Sequence, residues 1–325
     1  MRPSPKTWFA LSGAITALVG VLLYLLGALG GVLRAVLPQP VIEKHWVELL
    51  LWYSALPIVV GVLLFLLDLR KVRLKREARR LVVDPPASQK MTVALTAYND
   101  ELSIGDAIRD FLSHPDVVRV IVVSNNSKDN TEGVARAAGA IVFNEERQGY
   151  GACVKRAISE AASHEDTDIA VLCEGDMTFR AYDLDKLRPY LAHADIVNGT
   201  RIVEALQEGE TQVTTFMHYG NLAVAKLLEL KYFGDATLTD VGTTYKVFKR
   251  QSARQLLPLL VKPVNLEFNP YLMETAIHAG MKFVEVPITF HPRVGVSKGG
   301  NISNRVAVGV GLRMIKGILF GWPAK

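Results

Sequence analysis

The chain has 325 residues, half of them hydrophobic, and a mean hydropathy of +0.20, too apolar for a disordered or collagen-like chain and above the usual soluble domain. Its net charge of +5 is local: setting aside the 13 basic residues of Arg70–Arg80 and of the stretch after Glu285, with Glu77, leaves 24 of 37 basic and 31 of 32 acidic residues. A general nucleic-acid surface is therefore a poor account of the pI of 9.1, and anionic lipid headgroups are better partners for charge placed this way.

From Thr7 to Leu33 no charged residue occurs, a run long enough for the roughly 20 residues that span a bilayer. A second uncharged run covers Leu49–Leu67. A cleaved signal peptide is the alternative for the first, but its apolar core would be about 7–15 residues, and here a second span follows directly. Pro38 and Pro40 in the connection Leu37–His45 end the first helix and suit a tight hairpin. Arg2 and Lys6 before the first span, and the Arg70–Arg80 cluster after the second, place both ends in the cytoplasm by the positive-inside rule. Residues 1–83 are thus expected to form a transmembrane hairpin with a basic juxtamembrane segment.

After Asp84-Pro85-Pro86 the pattern becomes an alternation of strands and helices. Strands are expected at Met91–Thr96, Val118–Ser124, Ala140–Asn144, Ile169–Glu174 and Ile196–Thr200. Helices are expected at Ser103–Leu112, with Ser103 and Asp106 spaced as a capping box, from about Glu132, from about Gly151, and at Asp183–Ala192 and Phe216–Leu230. This predicts a largely parallel α/β sheet over residues 84–300, whose ligands sit at the carboxyl ends of the strands. The two cysteines, Cys153 and Cys173, fall in this cytosolic part, which argues against a structural disulfide. Residues 301–325 carry a last helix, Asn301–Trp322. Arg305, Arg313 and Lys316 share one face, and Val308, Ile315, Ile318, Leu319 and Trp322 fill a separate sector. An interfacial helix on the cytoplasmic leaflet is favoured over an ordinary surface helix.

Glu174-Gly175-Asp176 ends a strand and puts two carboxylates on one side of the chain. Such a pair suits a nucleotide diphosphate bridged by Mg²⁺ or Mn²⁺, although on spacing alone a strand end that caps a helix is the favoured reading. Other polar loops are Thr96-Ala97-Tyr98-Asn99-Asp100, Ser124–Thr131 and Gln148-Gly149-Tyr150-Gly151. Further along the chain come Asn198-Gly199-Thr200-Arg201, Thr239–Lys246, and Val284–Ile288 followed by His291–Lys298.

In order and spacing, from about Lys90 to Lys298, these segments resemble family 2 glycosyltransferases of the GT-A nucleotide-diphospho-sugar transferase fold, nearest to the polyprenyl-phosphate (dolichyl-phosphate) type. The resemblance implies that Tyr98, Asp100, Asn125 and Gly149 bind the donor. Asn125 stands in place of a base-reading Asp, and Asn126 in place of a glycine. It implies that Asp176, with Glu174 in place of the first Asp of an Asp-x-Asp pair, binds Mg²⁺ or Mn²⁺, while Thr178 replaces a metal-contacting Gln. Arg201, Arg293 and Lys298 match positions that contact the acceptor phosphate, and Asp240 one that orients the sugar or the acceptor, against a reading as a simple backbone cap. His218 and Asn221 start an apolar helix. His218 is left outside the catalytic set, since a lone histidine is more often structural.

The expected activity is inverting transfer of a sugar from a UDP- or GDP-sugar to polyprenyl phosphate. A processive polysaccharide synthase is a competing reading, but its Gln-x-x-Arg-Trp motif and further spans are not found in this sequence. A catalytically inactive nucleotide-sugar-binding membrane scaffold is the other. The sugar, the base and the oligomeric state are not specified by these motifs.

Overall fold

The computed structural model describes residues 9–37, 42–77, 81–209, 211, 214–295 and 304–323. It divides into two compact units, one of Leu81–Glu229 with Asp235–Lys325 and a smaller one of Pro5–Arg80 with Leu230–Gly234.

The smaller unit is built on a helical hairpin of α1 (Phe9–Val36), α2 (Lys44–Tyr53) and α3 (Ala55–Glu77). Among the described residues α1 and the α2–α3 stretch are long and apolar enough to cross a membrane. The break between α2 and α3 falls at Ser54, whose hydroxyl donates to the Leu51 carbonyl at 2.7 Å; Pro57, in the first turn of α3, has no N–H with which to extend the α2 ladder. Gly13, Gly20 and Gly27 recur every seven residues, the period that keeps one stripe of α1 against a partner helix. A Cβ on Gly13 would come within 2.6 Å of the Gly61 carbonyl oxygen, and one on Gly20 within 2.8 Å of the Ser54 carbonyl oxygen. Backbone approaches backbone where a side chain would stand. Asp68 accepts the Ala10 N–H at 2.6 Å, satisfying one of the orphan donors at the start of α1. Leu22, Leu25, Leu29, Leu63 and Leu66 remain half exposed or more. Arg2, Lys6, Pro38 and Pro40 lie outside the described residues.

In the larger unit β1 (Met91–Ala97), α4 (Ile104–Leu112), β2 (Val117–Ser124), α5 (Thr131–Ala137), β3 (Ile141–Asn144), α6 (Tyr150–Ser163) and β4 (Ile169–Glu174) alternate as the sequence predicts. All seven positions of β1 are buried, as expected of a parallel strand covered on both faces. Then follow α7 (Leu184–Leu187), β5 (Ile196–Thr200), α8 (Thr215–Lys231), β6 (Lys246–Lys249), α9 (Arg250–Leu256), α10 (Phe268–His278), β7 (Phe283–Pro287) and α11 (Asn304–Phe320). The sheet order is β3-β2-β1-β4-β6-β5-β7.

Several local expectations change. β6, which the alternation did not predict, runs antiparallel to both β4 and β5. The helix expected over Asp183–Ala192 is one turn of α-helix between two 3₁₀ turns, with Pro189 at the start of the second, where its ring cannot continue the α ladder. The Ser103 capping box is not made. That hydroxyl donates instead to the Gly175 carbonyl at 2.9 Å, tying the tip of β4 to the start of α4.

α11 meets the domain with part of the sector expected to meet lipid. Ile318 is fully buried, and Trp322 donates its indole N–H to Glu274 at 2.7 Å while its ring lies 5.6 Å from that of Tyr271. Val308, Leu312 and Phe320 point outward with exposed Arg305 and Lys316.

Candidate functional site

Parallel pairing aligns three strand tips. Ala97 of β1 lies opposite Ser124 of β2, and Thr96 opposite Glu174 of β4. Just past β1, Asn99 turns the chain at φ 52°, a left-handed conformation that Asn tolerates. Asp100 follows; its Oδ2 accepts the Tyr98 N–H at 2.9 Å, and its own N–H donates to Thr131 Oγ1 at 2.8 Å.

Past β2, the buried Asn125 side chain is committed to the next loop. Its amide donates to the Glu145 and Arg147 carbonyls at 3.0 and 2.8 Å and accepts the Gly149 N–H at 2.7 Å. In this structure Asn125 shapes the loop that leads into α6. Gly149 has φ 136°, and a Cβ there would meet Asn265 Oδ1 at 3.1 Å. Asn126, at φ 56°, takes the left-handed conformation that its place in the motif requires.

Past β4, Asp176 is almost fully buried. Its Oδ1 accepts the Thr178 N–H at 3.1 Å and hydroxyl at 2.6 Å, while Oδ2 lies 3.0 Å from Arg293 Nη1. Thr178 thus orients the carboxylate. The other arm of Arg293, Nη2, donates to Asp100 Oδ1 at 2.8 Å. Two backbone bonds hold this segment beside β4, His291 N–H to the Thr178 carbonyl at 3.0 Å and Val294 N–H to the Asp176 carbonyl at 3.1 Å. Burial, and then the neighbouring Asp176, push the Glu174 carboxyl up to about 7. Lys298 lies outside the described residues.

Among the described residues no three carboxylate, imidazole or thiol side chains gather to cage an ion by themselves. The donor set fits a hard divalent cation of the Mg²⁺ or Mn²⁺ kind, which takes one or two carboxylates and completes its shell with phosphate oxygens and water. Asp176, with Glu174 at the same strand tip, would supply them.

The second half of the site is centred on Asp240. Its Oδ2 accepts the Arg201 backbone N–H at 3.1 Å and Nε at 2.7 Å. Its Oδ1 accepts Arg201 Nη2 at 2.9 Å, Asn221 Nδ2 at 2.5 Å, Gly242 N–H at 2.9 Å and Thr243 N–H at 3.2 Å. Burial alone would raise this carboxyl, but the fork of Arg201 outweighs it and holds Asp240 well below the usual carboxylate range. Arg201 also lies over the Phe290 ring, 5.2 Å from its centroid. Arg201, Ile202, His218, Asn221, Thr239 and Asp240 line one cleft. His218, left outside the site on sequence grounds, is on its wall, and Asn221 fixes Asp240.

The loop from Asp240 to β6 joins the two halves. Thr244 Oγ1 donates to Glu174 Oε1 at 2.5 Å and contacts the Tyr150 hydroxyl. Asn269 donates to Tyr150 at 2.9 Å and to the Gly242 carbonyl at 3.1 Å. Tyr150, Thr244 and Lys246 stood inside motifs without assigned roles, whereas Asn269, on α10, had no sequence signal. Cys153 and Cys173 are free and buried.

A mostly parallel sheet with buried carboxylates past adjacent strand tips and an arginine between them defines the class: a nucleotide-sugar-dependent transferase of the GT-A fold. The fold is shared with glucosyl-3-phosphoglycerate synthase from Mycobacterium tuberculosis, crystallised with Mn²⁺, UDP and glucosyl-3-phosphoglycerate; the TM-score is 0.54 at 20% identity, over 74% of this chain and 82% of that one. Residues 92–257 match the profile of Glycosyl transferase family 2, and the chain belongs to that family. It is similar to the dolichyl-phosphate hexose transferase of Haloferax volcanii, 27% identical over 220 residues that cover 67% of this chain and 90% of that protein. The low-salt glycan biosynthesis hexosyltransferase Agl6 of the same organism is 25% identical over 66% of this chain and 51% of its own length. The chain is a glycosyltransferase.

Proposed function

We propose that this glycosyltransferase is membrane-anchored and moves a sugar, with inversion, from a UDP- or GDP-sugar to polyprenyl phosphate at the cytoplasmic leaflet. One observation carries the reading: the carboxylates of Glu174 and Asp176, side by side at the tip of β4, are joined through the Asp240–Lys246 loop to a cleft built on the largely buried Arg201. The first suits a donor diphosphate and the second an anionic acceptor. The apolar hairpin and the likeness to a dolichyl-phosphate transferase support a lipid acceptor.

In this mechanism an acceptor phosphate oxygen attacks the anomeric carbon, the bond from that carbon to the donor's phosphate oxygen breaks, and the nucleoside diphosphate leaves with the electron pair. A phosphate monoester has its second pKa near ~6, so the nucleophile is already ionised and no strong general base is required. Asp240 holds Arg201 Nε and Nη2, leaving Nη1 to meet the acceptor phosphate. Arg293, with Lys298 further along the chain, offsets the charge of two anions brought together. Tyr98, Asp100 and Gly149 form the donor side, with Asn125 shaping the loop that carries Gly149. Asp176 and Glu174 would hold Mg²⁺ or Mn²⁺, which would supply charge stabilisation to the departing diphosphate.

The test is reconstitution of the purified full chain with Mg²⁺ or Mn²⁺, polyprenyl phosphate and a panel of UDP- and GDP-sugars, followed by mass detection of the lipid product. A glycosyl lipid that disappears in a folded Asp176→Asn variant is expected. Nucleotide binding without any sugar-lipid would favour the inactive scaffold, and a growing polymer the synthase.

A further inference from the structure

Behind Glu174 lies a chain of largely buried side chains whose hydrogen-bond polarity can be worked out from one end to the other. Lys246, fully buried, has its Nζ 3.4 Å from Asn269 Oδ1 and against the Thr243 carbonyl. The Asn269 amide nitrogen faces the Gly242 carbonyl at 3.1 Å and the Tyr150 hydroxyl at 2.9 Å. The Gly242 carbonyl only accepts, so the amide nitrogen must face it and Oδ1 is left to accept from Lys246, which determines the orientation of the amide. Tyr150 therefore accepts from Asn269 and has one hydrogen to give. Burial and the nearby Glu174 raise its pKa and keep that hydrogen in place. Thr244 spends its own hydrogen on Glu174 Oε1, at 2.5 Å. Thr244 then receives the hydrogen of Tyr150. Along the chain from Lys246 through Asn269, Tyr150 and Thr244, each successive hydrogen bond points toward Glu174.

We propose that Thr244, Tyr150, Asn269 and Lys246 are positioning residues, a one-way hydrogen-bond chain that holds Glu174 as a cation-binding carboxylate and ties it to the loop that carries Asp240. The inference deepens the proposed function and rests on it for the assignment of Glu174 to the cation. The same loop is fastened at its other end by Asp240, which accepts the Gly242 and Thr243 N–H groups, so the cation side and the arginine cleft share one support. Such outer partners of metal ligands typically matter by about 10–100-fold in metal affinity.

The experiment uses the full chain in detergent and titrates Mn²⁺ by its paramagnetic resonance signal, with UDP or GDP, whichever the wild type retains. Tyr150→Phe and Thr244→Val each remove a single hydroxyl from a side chain of nearly unchanged shape. Both are expected to weaken Mn²⁺ binding at least about tenfold at near-wild-type thermal stability, and Thr244→Ser, which keeps the donor, is expected to restore it. Wild-type Mn²⁺ affinity in both variants would overturn the inference, as would failure of Thr244→Ser to restore binding. The proposed reaction is judged separately, by whether the wild type forms glycosyl lipid: a wild type that transfers sugar while the variants bind Mn²⁺ normally leaves the reaction standing and removes the positioning chain.

Discussion

Asp240 accepts six hydrogen bonds in a nearly dry environment, three of them from Arg201. Removing one member of such a pair strands the other charge, which costs about 3–5 kcal/mol. Arg201→Met is thus expected to lower the thermal unfolding midpoint sharply, and the double variant Arg201→Met/Asp240→Leu to recover much of that stability while transfer stays lost; calorimetry beside the transfer assay checks both. Lys246 makes a second prediction. Burial pulls its pKa from 10.5 down to about 7, so between those values the unfolded chain holds a proton that the native chain has given up. Stability from this group therefore rises with pH across that window and is lost as pH falls through 7, by about 1.4 kcal/mol per unit. Lys246→Met is expected to flatten this slope in unfolding midpoints measured from pH 7 to 9.5, and an unchanged slope would refute the assignment.

At the scale of elements, glycine is what lets α1 and α3 touch. A Cβ on Gly61 would lie 2.5 Å from both the Ala17 nitrogen and the Gly13 carbonyl oxygen, backbone atoms that cannot rotate away. Gly61→Ala is expected to force the helices apart at a cost of about 1–3 kcal/mol, seen as a lower unfolding midpoint of the full chain in detergent, whereas Gly311→Ala on α11, with nothing within 4 Å of the added carbon, is expected to change little. β6 shows the opposite case, a four-residue strand too short for periodicity to reveal its direction. It pairs antiparallel with both β4 and β5, and that direction brings the Asp240–Lys246 loop to the tip of β4.

For the whole molecule, the proposed topology predicts which side each segment occupies. Both native cysteines are buried, so an introduced exposed cysteine reports cleanly. Glu43→Cys, in the hairpin connection, is expected to react with an impermeant maleimide on intact cells, and Gln89→Cys, at the start of the catalytic unit, only after lysis; the reverse pattern would place the donor site on the wrong face. Two long apolar helices, a mostly parallel α/β core and the polar loops at Asp100, Asn125, Glu174–Asp176, Arg201 and Asp240 were all legible in the sequence. Each is written in a local pattern, a run length, a period or a turn motif, that physical chemistry constrains within a few residues. Only the tertiary structure decided that Arg293 neutralises Asp100 across 193 residues of chain, that Asn125 spends its amide on the loop behind it, and that Tyr150, Thr244 and Asn269 meet behind Glu174. A buried polar side chain has the same hydrogen-bonding capacity anywhere in a sequence, and which partner satisfies it is settled only when folding removes water from both.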